Sequence, residues 1–119
     1  MIQEASLCGE AFSFLHSEGY ENGSGGAAKF SQIEGIAVDL NGNVYVTDYI
    51  GEDGIYSKHT IRKIDALGNV TTCAGKERGY ADGSGNNAKF NILRGVAVDN
   101  FFTLYVADTD NHKIRKIVF

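Results

Sequence analysis

Two polar sets recur at matched positions in this 119-residue chain and contain the groups from which acid–base chemistry is built: Asp48, His59 and Arg62, then Asp108, His112 and Arg115. A carboxylate beside an imidazole and a guanidinium could act as general acid and base. Their recurrence favours a different role. A constellation present in each copy of a repeat reads as a hydrogen-bonded clamp across a turn, with Asp108 and Asn111 bonding nearby backbone as Asx residues do. Both histidines are expected to bond to that turn, no catalytic residue is assigned, and the chain is read as non-enzymatic. Asp39 and Asp99 could present carboxylates to a hard cation, but the neighbouring Gly35-Ile36-Ala37-Val38 and Gly95-Val96-Ala97-Val98 add no ligand. They are read as turn caps, with no metal site. The runs at 23–26 and 83–85 have the glycine density of a phosphate loop but lack a following Lys-Ser or Lys-Thr, so they are read as turns and no cofactor is expected. Cys8 and Cys73 have no metal-ligand spacing, and as residues of separate outer strands they are expected to remain free thiols.

The elements that position these residues follow from a repeat. Gly19-Tyr20, Gly23-Ser24-Gly25 and Ala28-Lys29-Phe30 return at an offset of 60 as Gly79-Tyr80, Gly83-Ser84-Gly85 and Ala88-Lys89-Phe90. Gly35, Ala37, Val38, Asp39, Tyr45, Val46 and Asp48 keep the same offset, whereas Ile61-Arg62-Lys63-Ile64 returns at 53, so the first copy carries seven extra residues between Asp48 and His59. Short runs rich in Val, Ile and Tyr, separated by Gly, Asn and Asp, predict β-strands joined by turns. In the first copy strand a falls at 33–39, b at 43–48, c at 60–65 and d at 69–74. The second copy has a at 93–99, b at 103–108 and c at 113–118. Asn41-Gly42 supplies a hairpin turn between a and b, and Asp65-Ala66-Leu67-Gly68 supplies one between c and d.

The order GSG, AKF, GIAVD or GVAVD, VYVTD or LYVAD, His-x-Ile-Arg-Lys and VTTCAG resembles the NHL repeat over about residues 18–119, most fully at Asp108-Thr109-Asp110-Asn111-His112-Lys113-Ile114-Arg115. The resemblance implies four-stranded blades of a β-propeller, commonly six-bladed. The usual Pro before strand a is missing, with Glu34 and Arg94 near that point, and Lys58 and the insertion replace the Asn-containing turn in the first copy. Ala5-Ser6-Leu7-Cys8-Gly9 lines up with Thr71-Thr72-Cys73-Ala74-Gly75, so residues 2–9 read as a displaced strand d. The expected fold is all-β, in the strand order d, a-b-c-d, a-b-c. Residues 1–9 form a closing strand, 18–75 the first blade, and 79–119 a second blade lacking its outer strand. Some propellers of this family are metal-dependent lyases, whose pore-centred polar sites the inner strands here do not match.

Composition narrows the partners. Eleven Lys and Arg against 15 Asp and Glu give a net charge of −4, which disfavours nucleic acid, and no apolar run reaches membrane-spanning length. The chain is expected to be soluble, with no signal for a compartment. Both length differences between the copies fall on one face. The d-to-a connection from Gly9 to Gly19 is six residues longer than Gly75 to Gly79, and the b-to-c loop from Tyr49 to Lys58 holds the insertion. Loops on a rigid scaffold often carry binding, so Phe12, Phe14, His16, Tyr49, Glu52, Asp53 and Tyr56 are the candidate contact residues for a protein or carbohydrate ligand. The reading is an interaction scaffold assembled from copies of itself, three chains making six blades. The competing readings are a sugar-binding lectin, for which six Tyr would replace the absent Trp, and a piece of a longer NHL-repeat protein.

Overall fold

The structure is a computed structural model describing residues 20–24, 27–51 and 57–119. The assignments of residues 1–9 as a closing strand and of Phe12, Phe14, His16, Glu52, Asp53 and Tyr56 as contact residues lie outside these. The described chain is all-β apart from short 3-10 turns, among them Gly85–Asn87 and Thr109–Asn111. Strands β1 (Gly23–Ser24), β2 (Gln32–Val38), β3 (Val44–Ile50), β4 (Lys58–Ile64) and β5 (Asn69–Lys76) form an antiparallel sheet in the order β1-β5-β4-β3-β2. Strands β6 (Leu93–Val98), β7 (Leu104–Asp108) and β8 (Lys113–Ile117) form a second, in the order β6-β7-β8. Each core strand of the sequence reading is present, with ends moved by a residue or two. Tyr49, expected in a loop, instead lies in β3 opposite His59, because the inserted segment extends the β3–β4 hairpin.

Turn chemistry closes the hairpins. Asp39 Oδ1 accepts the backbone N–H groups of Asn41 and Asn43, and Asp65 and Asp99 accept the matching pairs in their own turns. Gly42 occupies the left-handed region (φ 83°), which glycine tolerates without steric cost. The second copy places Phe102 there at φ 64°, a conformation uncommon for a bulky residue.

The sheets pack face to face. Tyr45, Ile61 and Ala74 of the first meet Leu93, Leu104 and Val106 of the second, with Ala88 and Phe90 from the segment between them. A separate cluster of Ala28, Phe30, Val46 and Val70 covers the first sheet's other face. The sheets approach closely at Gly35, where a Cβ would collide with the carbonyl of Arg94. There Thr47 Oγ1 accepts the Gly35 N–H (2.9 Å) and donates to the Arg94 carbonyl (2.8 Å), bridging β2, β3 and β6. Gly95 occupies the same repeat position, yet a Cβ built there has nothing within 4 Å.

This difference gives a test of the packing. Gly35→Ala should cost about 1–3 kcal/mol through forced separation of the sheets, whereas Gly95→Ala should leave the stability of the single chain nearly unchanged. Urea unfolding of both variants in dilute solution checks this.

Candidate functional site

The two Asp-Arg sets are built alike, as structural clamps. Arg62 Nη1 lies 3.0 Å from Asp48 Oδ2, with both side chains fully buried. Nη1 also donates to the Lys29 carbonyl, and Nη2 to the Glu21 carbonyl and to Asn22 Oδ1. The Arg62 guanidinium lies between two rings, 4.5 Å from the Tyr20 centroid and 4.3 Å from that of Phe30. In the second copy Arg115 pairs with Asp108 at 2.8 Å, reaches the Lys89 and Ala81 carbonyls and Asp82, and lies between Tyr80 and Phe90. Asp48 also accepts the Ser31 N–H, and Asp108 that of Asn91. Each pair thus fastens the segment that leads into its own sheet. Burial raises the Asp48 carboxyl above its ordinary range against the opposing Ser31 and Arg62 bonds. The Gly-Tyr and Ala-Lys-Phe recurrences were the sequence signal for the ring sandwich, which the Asp-His-Arg grouping did not identify.

The histidines depart from that grouping. His59 is buried, and its Nδ1 accepts at 2.9 Å the N–H of Ile92, the residue before β6, where a bond to its own turn was expected. His112 is exposed, in the left-handed conformation at the end of the Thr109–Asn111 turn. The seven-residue insertion accounts for the difference, since it lengthens β3 and β4 and carries His59 into the strand. Asp108 with Asn111 behaves as expected: Asn111 Nδ2 bonds Asp108 and the Gly79 carbonyl. Desolvation, with Arg78 nearby, lowers the His59 pKa. The ring is therefore neutral, with its hydrogen on Nε2 because Nδ1 accepts.

At this end of the inter-sheet seam lies a cavity of about 300 Å³ lined by Gln32, Tyr49, Gly51, His59, Arg78, Asn91, Ile92 and Asp110. The Tyr49 ring stacks on His59, with centroids 5.6 Å apart. Of the contact residues read from sequence, Tyr49 is the one among the described residues, and it lines this cavity. The cavity presents an aromatic face, two amides, a cation and a carboxylate, a set suited to a small polar ligand. The sequence reading also singled out His59, but not as a neighbour of Tyr49 in a cavity, because the lining comes together only when the second sheet packs on the first.

The other candidate groups are accounted for locally. Burial opposes the charge on Asp39, but bonds from Asn43, Tyr45 and Asn41 outweigh it and keep the carboxyl below its usual range. Backbone donation from Thr103 does the same for Asp99. Burial pushes the Cys73 thiol up to about 11, leaving it protonated at neutral pH. No group of three metal-ligating side chains occurs among the described residues.

No family model matches the chain. Over 46 residues it is 50% identical to NHL repeat-containing protein 2 of Gallus gallus, a match covering 39% of this chain and 6% of that protein. An auxiliary nutrient binding protein from Bacteroides ovatus is similar in structure, with a TM-score of 0.68, 29% identity, and coverage of 86% of this chain and 26% of the other. A protein of unknown function from Bacteroides thetaiotaomicron aligns with a TM-score of 0.77 at 29% identity, over 94% of this chain and 28% of its own length. The chain therefore spans about a quarter of the solved chains that it matches.

Two outcomes follow for the buried groups. Asp48→Ala, which leaves the Arg62 charge without its carboxylate, should cost about 3–5 kcal/mol in urea unfolding. An exposed pair would cost under about 1 kcal/mol. His59 binds a proton less readily folded than unfolded, so its contribution is complete above the unfolded pKa of about 6.5 and lost as pH falls below it. Melting temperatures at pH 7.5 and 5.5 should show a drop on acidification that is smaller in His59→Gln.

Proposed function

We propose, from the NHL-type repeats this chain carries, that it is a non-enzymatic binding module of two propeller blades, with its ligand face at the 10–16 and 49–58 segments. The observation that carries this reading is the seam cavity beside Tyr49. It opens where the segment before β6 and the extended β3–β4 hairpin converge, on the face where the two copies differ in length. The nutrient-binding description of the Bacteroides ovatus relative supports a small-molecule ligand, and the Tyr49 ring with flanking amides suits a monosaccharide better than an extended peptide. The module works as an interaction scaffold in a homo-oligomeric ring, for which three chains supply six blades.

Titration of the labelled protein with a panel of monosaccharides should produce saturable amide shifts at Tyr49, His59, Asn91, Ile92 and Asp110. Tyr49→Ala should weaken such binding about tenfold, the equivalent of about 1.4 kcal/mol. Saturable shifts confined to Asn41–Asn43 and Gly68, on the opposite turns, would contradict the assignment of the face.

A further inference from the structure

We propose that a second copy of this chain docks head to tail on the outer face of the β6-β7-β8 sheet, reproducing between chains the interface that joins the two sheets within one. The inference deepens the ring reading above by naming its surfaces. The argument rests on residue pairs that the repeat makes equivalent. Leu93 is 1% exposed against the first sheet, while its counterpart Ile33 is 50% exposed. Val96 and Val98 pack on the same core, whereas Ile36 and Val38 face outward. On the receiving side, Ile61 is 0% exposed and Tyr45 3%, but their counterparts Ile114 and Tyr105 are 74% and 38% exposed. One chain thus exposes both halves of an interface that it also contains in assembled form. The head is Ile33, Ile36 and Val38, and the tail is Tyr105 and Ile114. An interface with different halves is heterologous, and its repetition gives a ring or a filament.

Two further observations lie on the tail. Gly35 is a glycine because the Arg94 carbonyl approaches it, and Gly95 keeps that residue type with open space in front of it. A docked copy would bring its Glu34 carbonyl to Gly95. Beside β8 runs a groove of about 560 Å³, lined on one side by Lys113–Phe119 and on the other by Gly83, Ser84, Ala88 and Phe90. In the first sheet the corresponding space between β4 and β1 is filled by β5. Residues 2–9, which lie outside the described residues, match β5 in sequence. On that sequence match, residues 2–9 are the proposed occupant of this groove in the neighbouring copy. Among the described residues β8 is an edge strand, and such edges favour strand addition.

Ile114→Arg blocks every tail and Ile36→Arg every head, and both positions are exposed, so each variant should fold, as circular dichroism can check. Sedimentation velocity at micromolar concentration should show the wild type associated and each variant alone monomeric. A mixture of the two should form a heterodimer, since one supplies an intact head and the other an intact tail. Gly95→Ala, as a second tail block, should behave like Ile114→Arg. Removing residues 1–9 from the Ile114→Arg partner should weaken the heterodimer at least about tenfold. A monomeric wild type, single variants that still associate, a mixture that stays monomeric, or a heterodimer indifferent to that truncation would each overturn the proposal. A mixed dimer from a wild type that is not trimeric would support the docking mode and contradict the three-chain ring alone.

Discussion

The fold depends on a buried ion pair used twice. A carboxylate and a guanidinium removed from water are stabilised when further hydrogen bonds satisfy the donors and acceptors that the pair leaves over. Asp48 with Arg62, and Asp108 with Arg115, gain those bonds by drawing in the backbone of the segment that precedes each sheet, and at Arg62 the Nε–H alone among the guanidinium nitrogens is left without a partner. The carbonyls of Lys29 and Lys89 and the N–H groups of Ser31 and Asn91 would otherwise belong to irregular chain. The clamp converts that chain into a fixed wall, and the flanking Tyr and Phe rings shield it while contributing cation–π attraction. Phe90, held by Arg115, is in turn a core residue of the seam between sheets. The polar clamp and the apolar core are therefore one construction.

That construction sets the position of the seam cavity. Asn91 is held by Asp108, and the Ile92 N–H is bonded by His59 of the first sheet. The cavity beside Tyr49 is lined by residues whose backbone is already fixed, which lowers the ordering cost of receiving a ligand. The opposite face differs: Asp39, Asp65 and Asp99 spend their carboxylate oxygens on their own turns.

Much of this was legible in the sequence where local chemistry decides the outcome. The period-two strands, the Asn41-Gly42 turn and the sixty-residue recurrence predict the order and type of the strands, and Asp48 with Arg62 was recognisable as a repeated polar set. What escaped depends on packing between distant residues. The role of His59 changed because the insertion lengthens a hairpin, which no local pattern signals. Tyr20 and Phe30 are far from Arg62 in sequence, and although the Gly-Tyr and Ala-Lys-Phe recurrences mark them as repeated residues, only packing brings them together as the two walls of one guanidinium site. Gly95 carries no sign by itself. It becomes informative beside Gly35, whose need for a missing side chain the structure explains.

The central claim is that one interface serves both within the chain and between chains. Isotope-filtered NMR on a mixture of carbon-13-labelled and unlabelled protein tests it at atomic level. The account predicts intermolecular contacts from the Ile36 methyl groups to the Tyr105 ring of another copy, mirroring the contact of Val96 with the core that holds Tyr45. Intermolecular contacts that join Ile36 to Ile36, or Ile114 to Ile114, would contradict it.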